Sequence, residues 1–163
     1  MDAAAELARI ARRIALEELY AEYVHCLDSD ALEHWPDFFT DACHYRITSA
    51  ENYSAGLPLG IIYANSRDML RDRVSALREA NIYEPQTYRH LISGLRIERD
   101  EGDALDLETH MLVVRTMQDG AMSLFAAGRY ADRAVRTADG WKFASKVVVL
   151  DSRLIDTLLA IPL

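Results

Sequence analysis

Thr87-Tyr88-Arg89-His90-Leu91-Ile92-Ser93-Gly94 opens a stretch, running on to Ile155, that decides the fold. Arg89-His90-Leu91-Ile92 begins one strand, and Leu105–Met117, Ala121–Val135 and Trp141–Asp151 read as three more. Asp100-Glu101-Gly102-Asp103, Gln118-Asp119-Gly120 and Ala138-Asp139-Gly140 lie between them. Their glycines supply the positive φ that tight hairpins need. Strands joined by so few residues must run antiparallel. The second half of the chain is therefore expected to be a β-meander, and the first half must cover one face of it.

Working outward, residues 3–27 read as a long helix. Leu16, Leu19, Tyr20, Tyr23 and Leu27 recur at three- and four-residue spacing, and Leu7, Ile10 and Ile14 carry a stripe toward its start. Asp28-Ser29-Asp30 breaks that helix and can cap the next. A second helix over Ala31–Phe39 carries Leu32, Trp35, Phe38 and Phe39, and Pro36 makes it short or bent. Cys43–Ser49 is expected as a strand, Glu51–Leu59 as a loop and Gly60–Ala64 as a short edge strand. Ser66 caps a third helix over Arg67–Ala80, with Leu70, Val74 and Leu77 inward. Helices followed by a meander make an α+β protein. The arrangement that buries both stripes is one domain, residues 1–163: a cone-shaped, curved antiparallel sheet with the N-terminal helices packed on its concave face. Nuclear transport factor 2, ketosteroid isomerase and scytalone dehydratase share that cone.

Composition narrows the function. The chain has 163 residues, half of them hydrophobic, and a net charge of −8, with a pI near 5.1. That acidity argues against a nucleic-acid partner. Apolar runs such as Val147–Leu150 and Leu158–Leu163 are far too short to span a bilayer. Glutamates interrupt the early arginines and no apolar run follows them, so no secretory leader is expected. Two cysteines do not make a disulfide framework, which fits a cytoplasmic chain with reduced thiols.

A cone often encloses a pocket, so acid/base groups come first. The histidines are His25, His34, His44, His90 and His110, and the candidate carboxylates include Asp28, Asp41, Glu108 and Asp151. Strict alternation puts His90 opposite Leu95 and Ile97, whereas a bulge at Gly94 puts all three on one side. His90 reads either as a general base in a pocket or as a hydrogen-bonded strand histidine near a rim or subunit contact. His25-Cys26 and Cys43-His44 suggest zinc, but adjacent pairs cannot easily hold one ion. Neither Rieske-type Cys/His spacing nor a two-histidine iron spacing is present. Tyr20, Tyr23, Trp35, Phe38, Phe39 and Tyr45 read as core or as a ligand-pocket lining. The apolar ending from Leu158 to Leu163 must fold back onto its own core or pack on another chain.

Four segments carry a resemblance: Asp28-Ser29-Asp30-Ala31-Leu32-Glu33-His34-Trp35-Pro36-Asp37-Phe38-Phe39 with Cys43-His44-Tyr45-Arg46; Met69–Val74 through Ala80-Asn81-Ile82-Tyr83-Glu84; Tyr88-Arg89-His90-Leu91; and Asp151-Ser152 with Asp156-Thr157-Leu158-Leu159. In this order the chain, from about Glu18 onward, resembles the small (β) subunit of aromatic-ring-hydroxylating Rieske oxygenases, of the type acting on aromatic carboxylic acids such as terephthalate or salicylate. The resemblance implies a non-catalytic partner of a large α subunit in an α3β3 hexamer, with a β trimer as base. It places the Rieske [2Fe–2S] cluster and mononuclear Fe(II) in the α subunit, supplied with electrons from NAD(P)H through a separate reductase. It implies no catalytic, metal or cofactor residue in this chain. Tyr83, Arg89, His90, Asp151, Leu158 and Leu163 are the expected subunit contacts. A competing expectation is a stand-alone dehydratase or isomerase using His90 with Asp41 or Asp28, and Tyr45 to polarise a carbonyl or hydroxyl. A third is a binding module that has the pocket without the acid/base pair.

Overall fold

The computed structural model describes residues 2–80, 83–154 and 159–163. Helix α1 (Ala3–Asp28) begins where the Asp2 carboxylate accepts the Ala4 N–H at 3.2 Å. Its buried residues, Leu16, Tyr20, Tyr23 and Leu27, follow the expected stripe. Leu7, Ile10 and Ile14 stay exposed, although Arg12 and Arg13 of the same turns reach the Asp100 carboxylate and the Leu95 carbonyl of the sheet. A 3-10 helix over Leu32–Phe38 then turns Trp35 into the core. The tighter winding accommodates Pro36, whose missing N–H and fixed φ an α-helix interior would not tolerate.

Strand β1 (Phe39–Ser49) starts earlier than the alternating pattern suggested, because Phe39 already pairs with Phe143. The segment expected to be a loop contains a short helix, α2 (Ala50–Ser54), capped by Ser49 Oγ on the Asn52 N–H. One capped turn is too short to leave a periodicity signal. Edge strand β2 (Ile62–Ala64) and helix α3 (Arg67–Glu79) follow as expected, with Ser66 Oγ accepting the Met69 N–H. Leu70, Val74 and Leu77 form the buried face of α3. Arg78 fastens α3 to the 3-10 helix by hydrogen bonds to Asp30 and Glu33. The bond from Arg78 holds the Glu33 carboxyl down at about 2.

The meander is β3 (Gln86–Asp100), β4 (Ala104–Met117), β5 (Met122–Thr137) and β6 (Gly140–Leu150). The sheet order is β2-β1-β6-β5-β4-β3. Neighbours are antiparallel except β1 and β6, which run parallel because the chain crosses the whole sheet between them. Two glycines shape the curvature. Gly94, at φ +68°, sits where the β3–β4 register shifts between Ser93 and Arg96. That bulge keeps His90, Leu95 and Ile97 on one side. At Gly128, β5 and β6 approach so closely that a methyl group would lie 2.0 Å from the Val149 carbonyl oxygen. Gly128→Ala is therefore expected to destabilise the chain by about 3 kcal/mol or more, read as a fall in the urea midpoint.

Candidate functional site

Inside the cone, inward positions of the sheet and one face of α1 converge on Lys146. Asp132 and Lys146 are direct cross-strand partners on β5 and β6, and both are buried. Lys146 Nζ donates to Asp132 Oδ2 at 2.7 Å, and the Tyr20 hydroxyl of α1 donates to the same oxygen at 2.6 Å. Four rings surround the ammonium, with centroids 3.6 Å (Tyr130), 4.3 Å (Phe143), 4.5 Å (Tyr23) and 4.8 Å (Tyr20) from Nζ. Loss of water pushes the Lys146 pKa down, while Asp132 pulls the other way. Loss of water pushes the Asp132 carboxyl up, opposed by Lys146 and Tyr20.

Beside this cluster the interior is closed by Leu163. Its carbonyl oxygen accepts the Tyr23 hydroxyl at 2.9 Å and the Tyr45 hydroxyl at 3.0 Å, and its N–H donates to Tyr45 Oη at 3.1 Å. Trp35 Nε1 donates to the Tyr23 hydroxyl at 3.2 Å. Leu159 to Leu163 thus fold back onto the chain's own core. Tyr23, Trp35, Phe39 and Tyr45 are core rather than the walls of an open pocket, and Tyr20, itself buried, backs a hollow of about 310 Å³ between α1 and β3 that Arg13, Glu17, Ile92 and Leu95 also line.

His90 does meet a carboxylate, and it is Asp28. Nδ1 lies 2.6 Å from Asp28 Oδ1, and the His90 backbone N–H donates to Asp28 Oδ2 at 2.9 Å. Asp41 is elsewhere, exposed and paired with Arg67. With Nδ1–H on Asp28, a neutral His90 keeps Nε2 as a bare acceptor, and that atom is buried without a hydrogen-bond partner among the described residues. Asp28 is spent on fastening the end of α1 to β3. The neighbouring hollow of about 420 Å³ is lined by Asp28, Asp30, Tyr83, Gln86 and Tyr88. It can admit a small group, but both oxygens of Asp28 are already engaged by His90.

The remaining expected residues are spread out. Tyr83 lines that hollow, partly buried, while Arg89 and Asp151 are exposed. His90 and Leu163 stand inside the fold, and Leu158 lies outside the described residues. The cysteines are poor iron ligands. Burial pushes the Cys26 thiol up to about 11 and raises Cys43 as well, whereas a ligand must be a thiolate. Cys26 Sγ also donates to the Ala31 carbonyl at 3.1 Å. These residues therefore do not fit an iron–sulfur centre.

The Lys146–Asp132 pair was not among the expected site residues. Its trace in the sequence is a charge at an inward alternation position on each of two adjacent strands: Asp132 between Tyr130 and Ala134, and Lys146 before Val148 and Leu150. Removing one partner strands the other's charge. Lys146→Met is therefore expected to cost about 3–5 kcal/mol near neutral pH, and adding Asp132→Asn should recover most of that. Folding lowers the Lys146 pKa, so the folded chain sheds this proton before the unfolded chain does. Stability relative to Lys146→Met should then rise as pH climbs toward the ordinary lysine value of about 10.4. Urea unfolding of both chains across pH 7–10 measures each effect.

Comparison with known proteins agrees with this architecture. The model of the SnoaL-like domain matches residues 8–147. The chain is 45% identical over 145 residues to the small subunit of anthranilate 1,2-dioxygenase from Burkholderia cepacia, covering 89% of this chain and 90% of that one. It is 42% identical over 150 residues to the terephthalate 1,2-dioxygenase terminal oxygenase component subunit beta 1 from a Comamonas species, covering 92% and 97%. Among solved structures, the β subunit assigned to an aromatic-ring-hydroxylating dioxygenase of Novosphingobium aromaticivorans superposes with a TM-score of 0.86 at 38% identity, covering 96% and 99%. With a cone filled by its own side chains and near-full-length likeness to these subunits, the chain belongs to the SnoaL-like family and, within it, to the small (β) subunits of aromatic-ring-hydroxylating dioxygenases.

Proposed function

We propose that this chain is the non-catalytic β subunit of an oxygenase that hydroxylates an aromatic carboxylic acid, and that it builds and steadies an α3β3 assembly with a large subunit in the cytoplasm. The observation that carries this reading is the 45% identity, along nearly the whole of both chains, to a dioxygenase small subunit. Anthranilate and terephthalate, the acids in the relatives' names, are both aromatic carboxylates, which supports the substrate class. In this reading the large subunit holds the Rieske cluster and the mononuclear iron, and a separate reductase delivers electrons from NAD(P)H.

The surface supports a chain with more than one kind of neighbour. Large apolar side chains are exposed in separate groups: Leu7, Ile10 and Ile14 on α1; Leu57, Leu59, Ile61 and Tyr63 around β2; and Leu91, Met122, Leu124 and Leu154 over the outer sheet. Apolar patches of this kind mark contact sites in soluble proteins. Tyr83, Arg89 and Asp151 are the proposed surface contacts, with His90 and Leu163 supporting that surface from inside.

One observation favours a stand-alone dehydratase or isomerase, namely the 2.6 Å His90–Asp28 contact. Burial of His90 Nε2 and engagement of the Tyr45 hydroxyl by Leu163 weigh against it. Produced with the large chain encoded by the neighbouring reading frame, the protein should co-purify as a hexamer whose iron stays with the larger chain, while this chain alone carries none. Native mass spectrometry and metal analysis check this, and a monomer that ignores the large chain would count against the proposal. In the assembled enzyme, His90→Ala should lower the melting temperature of this chain yet change kcat by less than about twofold, well short of the loss of about 10²–10⁴-fold that removing a general base brings.

A further inference from the structure

The hollow between α1 and β3 is small, mostly apolar and open to solvent at one side. Ala21, Ile92 and Leu95 form its walls, the bulge at Gly94 borders it, and Tyr20 and Thr109 close its floor. At the mouth, the half-exposed Arg13 donates to the Leu95 carbonyl at 3.2 Å and pairs with Glu17 at 2.9 Å. Cation and anion thus cancel there, and the entrance selects neither charge.

The floor holds a polar group that the fold leaves idle. Thr109 stands between Leu107 and Met111 in the inward row of β4 that runs from Leu105 to Val113, and it is only 2% exposed. Its hydroxyl leans toward that of Tyr20, whose own proton is spent on Asp132, and it makes no regular hydrogen bond among the described residues. A buried hydroxyl left this way is destabilising, and valine would fill the same space without that cost. A water at the floor would need two to four polar partners, and the floor offers little beyond Thr109. The hydroxyl is therefore matched to a molecule that brings one polar atom on an apolar body.

We propose that this hollow binds a neutral, single-ring phenol, with the ring against Ala21, Ile92 and Leu95 and the hydroxyl on Thr109 Oγ1. Size sets the one ring: about 310 Å³ is at the small end of ligand sites, and benzene fills a cavity of about 150 Å³. The Tyr20 ring in the back wall favours a flat, aromatic body. Charge sets the neutrality, since the mouth is compensated and a chain of net charge −8 repels anions. The proposal gives the chain a ligand of its own and does not rest on how the chain assembles.

The test is titration of the full chain with phenol and, separately, with benzene, followed by two-dimensional NMR, for the wild type, Thr109→Val, Thr109→Ser and Ala21→Phe. Phenol should bind the wild type saturably, with a Kd of about 1 mM or below, and shift the resonances of Ala21, Ile92 and Leu95. Thr109→Val should weaken phenol about three- to tenfold and leave benzene unchanged, while Thr109→Ser, which keeps the hydroxyl, should keep the preference for phenol. Ala21→Phe, a change at an exposed helix position, should fill the hollow and abolish binding of both. Absence of saturable phenol binding overturns the proposal, as does binding whose shifts lie in another part of the chain. Phenol binding that survives Ala21→Phe overturns the location, and phenol held equally by the wild type and Thr109→Val overturns the role of the hydroxyl. If Thr109→Val does not fold, a wild type that holds phenol no tighter than benzene overturns that role instead. None of these outcomes bears on the assembly reading, which the hexamer measurement tests separately.

Discussion

An ammonium sealed among four aromatic rings is the constraint on which the rest of this structure depends. Lys146 cannot be hydrated where it stands, so Asp132 must face it across the β5–β6 ladder, and Tyr20 must reach the same carboxylate from α1. That three-way contact fixes the depth and rotation of α1 against the sheet. Once α1 is set, Tyr23 presents its hydroxyl to Leu163 and Trp35, and the 3-10 helix has a single way to lie. A buried ion pair is not in itself strongly stabilising compared with apolar packing. What it contributes here is register, because slipping β5 against β6 by one residue would turn both charges out of alignment.

The same contact explains how a fold that hosts enzymes can serve as scaffold. Acid/base chemistry needs a free carboxylate, a reachable imidazole and space between them. Here the space is taken by Tyr20, Tyr130, Phe143 and Lys146 from one side and by Leu163 from the other. The Asp28–His90 contact has the look of a catalytic pair but is used as a bolt, joining the end of α1 to β3 through both carboxylate oxygens. Perturbed buried groups are often taken as a sign of function. In this chain they are a sign of structure, and the outer surface is where the functional argument lies.

Much of this was legible in the sequence. Period-two alternation with glycine turns gave the meander, and three-and-four spacing gave α1 and α3, because each pattern is the direct trace of one buried face. Ser66 as a cap and Pro36 as a bend carried through, since both act on the backbone next to them. The start of β1 at Phe39 and the helix at Ala50–Ser54 were not legible. The first depends on pairing with Phe143, far along the chain, and the second is shorter than one period of its own pattern. Of the candidate site, the facing of His90 could be narrowed to two options but not settled, since it turned on whether Gly94 bulged. Asp28 was named as one of two possible partners. The pairing of Asp132 with Lys146 needed the β5–β6 register, which no local pattern reveals.

The parallel pairing of β1 with β6 has a consequence for how the chain reaches this state. Ser49 sits beside Leu150, so this ladder joins segments roughly a hundred residues apart, and such distant closures are slow to form. The hairpins of the meander close locally and can form first. β1, with β2 hanging from its other edge, must then wait for β6 before it has a strand to join. Folding should therefore be paced by the arrival of the first third of the chain at a sheet already built by the second half. Unfolding in a native-state exchange experiment should begin by peeling that same border apart.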